Sequence, residues 1–361
     1  YKTLLDEGRL AAGGDEPPRI VVLPFDNLGP TEEEYFAAGV TEEITARLST
    51  VSGLRVISRT TAVQYDREGK TLTEIGTELG VDFVLEGSVR WAGEDRLRIT
   101  PQLIEAASDS NVWADSYDRV FTDVLELQTE IAQRVVAELG VAVLGGERRL
   151  VELRPTDNLD AYQAYLQGRW YASRPHFTPE LTYRMLSSFQ RATELDPGFA
   201  LAYAELAKNH AELYFYHRDL SPERLEAARA AAERALALDP VDPRVHLALA
   251  YFHLRSARDF DSARAELEIA ARGLPNSAEV LATEGYICEI EGCFERAAEV
   301  FERAMVLNPL DPSLPTEAGW SYWVTRRDPD AIRVFDRTIE LAPESGWPFL
   351  GKAFVYWSWR G

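Results

Sequence analysis

Five short phrases, each running from helix-forming residues into a proline, set the length scale of this chain. They are FQRATELDP, AERALALDP, EIAARGLP, FERAMVLNP and FDRTIELAP, closing at Pro197, Pro240, Pro275, Pro309 and Pro343. The last three intervals are 35, 34 and 34 residues, and the first is 43. A unit of about 34 residues holds two helices and their turns, and is too small to bury its own apolar face. It must stack on its neighbours. Stacked hairpins expose a groove rather than an enclosed catalytic pocket, so the pattern points to binding. First helices are predicted to begin near Asp160, Ala200, Pro243, Ala278, Pro312 and Glu344.

Composition narrows the partners. The 361 residues carry a formal charge of −21, which argues against nucleic acid, because phosphate binding needs a positive field to release counterions. Anionic membrane surfaces are disfavoured for the same reason. No apolar run approaches the ~20 residues of a membrane span, so no membrane insertion by this portion is expected. Cys288 and Cys293, five apart at a predicted helix end, suggest neither a disulfide framework nor a metal site. The chain opens at Tyr1 without a signal-peptide pattern and reads as a portion of a longer product.

Texture divides the chain. Residues 1–18 lose pattern in Gly, Asp and Pro and read as a linker or stalk. Residues 19–139 read as a compact α/β sandwich, with strands at RIVVLPF and LRVIS and an amphipathic segment over 32–50 carrying Phe36, Val40, Ile44 and Leu48. Short helices follow over 60–67 and 71–79, the second stopped by Gly80. Three extended stretches come next, joined by Ala92-Gly93-Glu94-Asp95 and Ser108-Asp109-Ser110-Asn111, both hairpin chemistry. In the middle stretch Leu97, Ile99 and Pro101 face one way, and Arg98, Thr100 and Gln102 the other. A closing helix over 122–139 carries Val124, Leu127, Ile131 and Val135 on one stripe. Residues 140–157, with Gly145-Gly146 and a charged run, read as a linker, and 158–361 as an all-α solenoid of about five and a half repeats.

The repeats resemble tetratricopeptide (TPR) units. Aligned on their prolines, they place Gly168, Ala207, Ala250, Gly285, Gly319 and Ala353 where paired helices cross closely. Ala228, Ala263, Ala297 and Ala331 fall at the second small position, and Phe189, Phe301 and Phe335 at the large site of the second helix. Leu267 and Ala232 are weaker substitutes there. Longer inter-helix segments around Pro175–Pro179 and Tyr214–Pro222 depart from the pattern. The resemblance implies a right-handed superhelix and is nearly silent on ligand.

Residues 19–139 resemble a TolB-N-like (FlgO-like) domain. The resemblance rests on Val22-Leu23-Pro24-Phe25 with Asn27, Tyr35 to Glu43, Leu54 to Arg59, Gly80 to Ser88 and Trp113 to Arg119. It implies the C-terminal half of a bacterial signalling protein, since such a domain is commonly joined to TPR repeats. Upstream can sit a class III adenylate cyclase, a serine/threonine kinase or a CadC-type regulator. The resemblance favours an extracytoplasmic setting, periplasmic or cell-surface, and leaves the cytoplasm open.

Chemistry is sparse. Asp26, Glu42, Glu43, Asp82, Glu86 and Asp118 supply carboxylates, but acid/base work needs two of them held around one substrate. Glu42 and Glu43 read instead as helix N-terminal charges favoured by the dipole. No glycine run makes a phosphate loop. His176, His210, His217, His246 and His253 lack convincing ligand spacing and read as packing residues. No enzyme, cofactor or metal is expected. The binding signal lies on the first helices. Tyr251, Tyr286, Trp320 and Phe354 directly follow the small crossing residue in successive repeats, with Arg244, Arg255, Glu289, Trp323, Trp347 and Trp357 nearby. The expected partner-binding groove is Arg244, Tyr251, Arg255, Tyr286, Glu289, Trp320, Trp323 and Phe354, suited to a protein or peptide segment. The alternative is ordinary repeat-to-repeat core. A second function, self-assembly of a structural homo-oligomer into a ring or filament, would use Phe349, Phe354 and Trp357 at the open repeat end.

Overall fold

The computed structural model describes residues 16–91, 96–120, 123–172 and 178–360. The expected turn at 92–95, His176, Pro175 and most of the 1–18 linker lie outside the described residues. The chain divides into two compact units, Tyr1–Leu206 and Ala207–Gly361.

The first unit is organised by a mixed seven-stranded sheet of order β3-β1-β4-β5-β6, with β2 beside β4 and β7 beside β5. β1 (Arg19–Val22) pairs in parallel with β3 (Arg55–Val56) and β4 (Phe83–Trp91), and β2 (Asp26–Asn27) with β4. β5 (Arg96–Glu105) runs antiparallel to β4, β6 (Ser110–Ala114) and β7 (Tyr117–Val120). The alternation expected in β5 is present: Leu97, Ile99 and Pro101 are buried and Arg98 is exposed. A register shift at Leu103/Ile104 lets two successive residues face the core, as a bulge does.

Four helices accompany the sheet: α1 (Glu34–Ser49), α2 (Arg59–Gln64), α3 (Leu72–Leu79) and α4 (Val124–Glu138). α3 begins in a Thr71/Glu74 capping box and ends at Gly80, whose φ of 66° is left-handed. The stripe Val124, Leu127, Ile131 and Val135 is buried along α4. Residues 145–152, within the stretch read as a linker, form α5 (Gly145–Glu152). Phe36, Val40, Ile44 and Leu48 are fully buried in α1, but so are polar residues on its other side. The cause is α6 (Leu159–Ala172), which lies against α1 and pairs with α7 (Pro179–Leu195). Gly39 permits that approach, because an added Cβ would come 2.6 Å from Leu166 Cδ1.

α1 also corrects an expectation. Glu42 and Glu43 sit in the middle of the helix, not near its N-terminus, so the dipole does not hold them. Arginines do. Arg59 Nε lies 3.0 Å from Glu42 Oε2, and Arg169 bridges Glu42 and Glu205. Arg47 reaches Glu43 at 3.2 Å and donates to the Leu153 carbonyl at 3.1 Å. Tyr162 closes the cluster, donating to Gln128 Oε1 at 2.9 Å.

The second unit is helical. α8 (Ala200–Phe215) begins in the first unit and continues into this one, where α9 (Pro222–Leu238), α10 (Pro243–Phe252), α11 (Phe260–Gly273), α12 (Ala278–Glu291), α13 (Phe294–Leu307), α14 (Ser313–Val324), α15 (Asp328–Leu341) and α16 (Trp347–Arg360) follow. They form the helical hairpins that the 34-residue period requires. Ala228, Ala263, Ala297 and Ala331 are all fully buried. At the close crossings a Cβ on Gly285 would come 2.6 Å from the Phe301 ring, and one on Gly319 2.6 Å from Phe335. Ala353 departs from its expected place and is exposed. Gly351 instead meets Phe335, for α16 packs on the preceding helix and is the last described helix.

Besides the stretched Tyr214–Pro222 segment, the repeat spacing has a smaller irregularity in this unit. The interval from Pro240 to Pro275 is one residue longer than the next two. α10 continues into a π-helical turn, His253–Ala257, ending at Arg258 with a left-handed φ of 54°. A π turn absorbs one extra residue within a helix, and here it falls in the 35-residue repeat.

Candidate functional site

The second unit holds a cleft of about 490 Å³. The ends of α8, α10 and α12 and the body of α14 converge on it: the first helices of four successive hairpins. Phe215 and Tyr216 come from α8 and its exit, Arg255 and Arg258 from the π turn and its exit, Tyr286, Glu289 and Ile290 from α12, and Glu317 from α14.

Arg255 organises the wall. Its guanidinium stands 4.1 Å from the Phe215 ring centroid, 4.4 Å from Tyr286 and 5.9 Å from Tyr251. Rings on both sides attract the cation through their π faces, so Arg255 is held without forming an ion pair among the described residues. Two carboxylates share the remaining wall. Glu289 accepts a hydrogen bond from Ser321 Oγ at 2.8 Å. Burial, and then the negative charge of Glu317, push Glu289 up to about 7, against the opposing effects of Ser321 and Arg255. Burial also raises Glu317, with Arg255 acting the other way. Glu317 makes no hydrogen bond or ion pair among the described residues. The cleft thus combines flat apolar surface with two carboxylates that burial disfavours in their charged form.

The eight expected groove residues separate into groups. Arg255, Tyr286 and Glu289 line the cleft together. Tyr251 stands next to it, its ring beneath Lys208 at 5.3 Å, while Lys208 pairs with Glu279. Trp320, Trp323 and Phe354 form a separate aromatic cluster, with centroids 5.9 Å (Trp320–Trp323), 6.1 Å (Trp320–Phe354) and 5.8 Å (Trp323–Phe354) apart. Trp323 also donates to Ser358 Oγ at 3.0 Å. Arg244 lies apart from the cleft, chelated by the Asp242 carboxylate at the start of α10. Phe215, Tyr216, Arg258 and Glu317 were not expected from the sequence. The first two belong to the Tyr214–Pro222 stretch that breaks the repeat spacing, where proline alignment loses its phase. The aromatic run Tyr214-Phe215-Tyr216 was the available signal.

At the other end, α16 presents aromatic surface. Trp357 is 73% exposed, Trp347 66% and Phe349 51%, with Phe354, Tyr356 and Trp359 also exposed.

The remaining polar candidates are engaged in structure. Asp26 pairs with Arg67, Asp82 accepts from the Arg19 backbone at 2.9 Å, and Asp118 holds Arg98 at 2.9 Å. Glu86 is raised by burial, with Arg67 opposing. His210 Nδ1 accepts from Arg224 Nη1 at 2.6 Å, and burial followed by that positive charge lowers it to about 4. His246 bridges Glu266 at 2.5 Å and the Pro240 carbonyl at 3.0 Å. Cys293 Sγ donates to the Cys288 carbonyl at 3.2 Å, and both thiols are free. No group of three His, Cys, Asp or Glu side chains that could hold a metal occurs among the described residues. No helix among them is long and apolar enough to cross a membrane.

No protein-family model matches the chain. It is similar to "Putative adenylate cyclase 3" of Rhizobium meliloti (strain 1021), with 35% identity over 235 residues. The match takes in 64% of this chain and 40% of that protein, so the chain spans well under half of its relative's length. Among solved structures it overlaps Pseudomonas aeruginosa PilF at a TM-score of 0.45 and 22% identity, covering 57% of this chain and 87% of that one. TTC0263, a thermophilic TPR protein of Thermus thermophilus, overlaps at 0.43 and 17%, covering 55% and 99%. YrrB, a TPR protein described as having an unusual peptide-binding site, overlaps at 0.36 and 18%, covering 58% and 98%.

Proposed function

We propose that this chain is a non-enzymatic protein-recognition module, the sensory or scaffolding half of a bacterial signalling protein. A partner segment docks across the first helices of the repeat region. One observation carries the reading: four successive hairpins each give a first helix to a single cleft walled by rings, an arginine and two carboxylates. Rings and arginine are the usual anchors of protein interfaces. The similarity to part of a protein named as a cyclase supports a place beside an effector. On this reading residues 19–139 form a TolB-N-like support, 140–157 a connection and 158–361 the recognition array. Peptides selected from a random display library on the full chain provide the test. Tyr286→Ala and Phe215→Ala, both on the cleft wall, should weaken capture at least tenfold while thermal unfolding stays cooperative. Capture equal to wild type in both variants would reject the groove.

The exposed aromatic face of α16 favours a second reading, self-association through that end. Light scattering over a concentration series would show growth in mass, abolished by Phe349→Ser with Trp357→Ser. A concentration-independent monomer would remove it.

A further inference from the structure

We infer that the cleft takes the side chain of a lysine or arginine carried by the partner segment. Its charge would sit between Glu317 and Glu289, and its aliphatic stem on the exposed faces of Tyr216 and Ile290. The inference rests on the docking reading above and adds the chemistry of the partner.

Charge complementarity decides it. Glu317 is half-buried, lines the cleft and has neither hydrogen bond nor ion pair among the described residues. Glu289 has one hydroxyl donor and a like charge beside it. A carboxylate in that position is stabilised most by a cation that arrives with its own hydrogen-bond donors. The resident cation does not fill the role. Arg255 is held between the rings of Phe215 and Tyr286 and acts on both carboxylates only through space. Further acids bear on the same walls. Burial does most to raise Tyr216 and Tyr286, and negative charge adds to it, from Glu212 and Asp311 at the first and from Asp311 at the second. Against these stand Arg255 and the exposed Arg258. An acidic segment would meet an excess of like charge and leave Glu317 unmatched. A basic residue satisfies the carboxylates, and its long stem suits the apolar floor.

The test sequences the library-selected peptides and measures their affinity by calorimetry on the wild-type chain, Glu317→Gln, Glu289→Gln and Tyr286→Ala. The expected result is a lysine or arginine shared by the selected peptides. Affinity should fall roughly ten- to a hundredfold in Glu317→Gln, the scale of one charged hydrogen bond, and should be lost when that residue becomes alanine in the peptide. Peptides that depend on Tyr286 but lack a basic residue, or that ignore Glu317→Gln, would overturn the inference and leave the docking reading standing. Absence of any peptide that depends on Tyr286 would overturn both. Glu317→Gln is nearly isosteric, and an unchanged melting curve separates lost binding from lost fold.

Discussion

Each unit withdraws a pair of glutamates from water, and the two pairs are treated in opposite ways. In the first, Glu42 and Glu43 lie deep in α1, and each meets arginine: Arg59 and Arg169 for one, Arg47 for the other. In the second, Glu289 and Glu317 are only half-buried, and among the described residues Glu317 meets no ion pair and Glu289 a single hydroxyl. A buried charge with partners is a component of the fold, because removing either member leaves the other stranded. A carboxylate withdrawn from water without such partners is disfavoured in its charged form, and on the proposed docking reading a partner's cation would relieve that.

The largest expected effect breaks the first side of this comparison. Glu42→Ala removes the carboxylate that Arg59 and Arg169 share, while Arg169 keeps Glu205, and should cost about 3–5 kcal/mol of local stability. Hydrogen exchange should then accelerate across α1 and α6. Exchange no faster than wild type would mean the cluster is not structural. Next comes the repeat geometry. Gly285→Val drives a branched side chain into the Phe301 ring, and overpacking of this kind costs roughly 1–3 kcal/mol. Faster exchange confined to α12 and α13 is the expected signature, and a tolerated valine would deny the close crossing.

A smaller effect concerns acid. His210 is neutral in the fold, lowered to about 4 by burial and by Arg224, with Asp219 opposing. An unfolded histidine titrates near 6.5. Between those values the unfolded chain binds more protons, so stability is full above about 6.5 and declines as pH falls toward 4. His210→Gln should flatten this limb of the stability profile. An identical acid limb in the variant would show that other groups govern it.

Much of the repeat architecture is legible in the sequence. The proline interval gives the hairpins, and the small residues opposite Phe301 and Phe335 give their crossings, because a period encodes contacts between neighbours in sequence. The extra residue between Pro240 and Pro275 is visible too, although its absorption in a π turn at Arg255 is not. Tyr286, Glu289 and Arg255 can be placed on one surface by phase alone. Phe215 and Tyr216 cannot, since they lie where the spacing stretches. The partners of Glu42 are beyond reach: Arg59, on a separate short helix, and Arg169, far along the chain, meet α1 only through tertiary packing. The same holds for the isolation of Glu317, a property of the space around it rather than of its neighbours in sequence.

On the proposed reading a partner binds in the cleft of the second unit, and not at the charged cluster of the first. Hydrogen exchange of the full chain with and without a saturating selected peptide tests it directly. New protection is expected at the end of α8, the π turn and α12, with α1 and α2 unchanged. Protection appearing in α1 and α2, with the cleft segments unaltered, would contradict it.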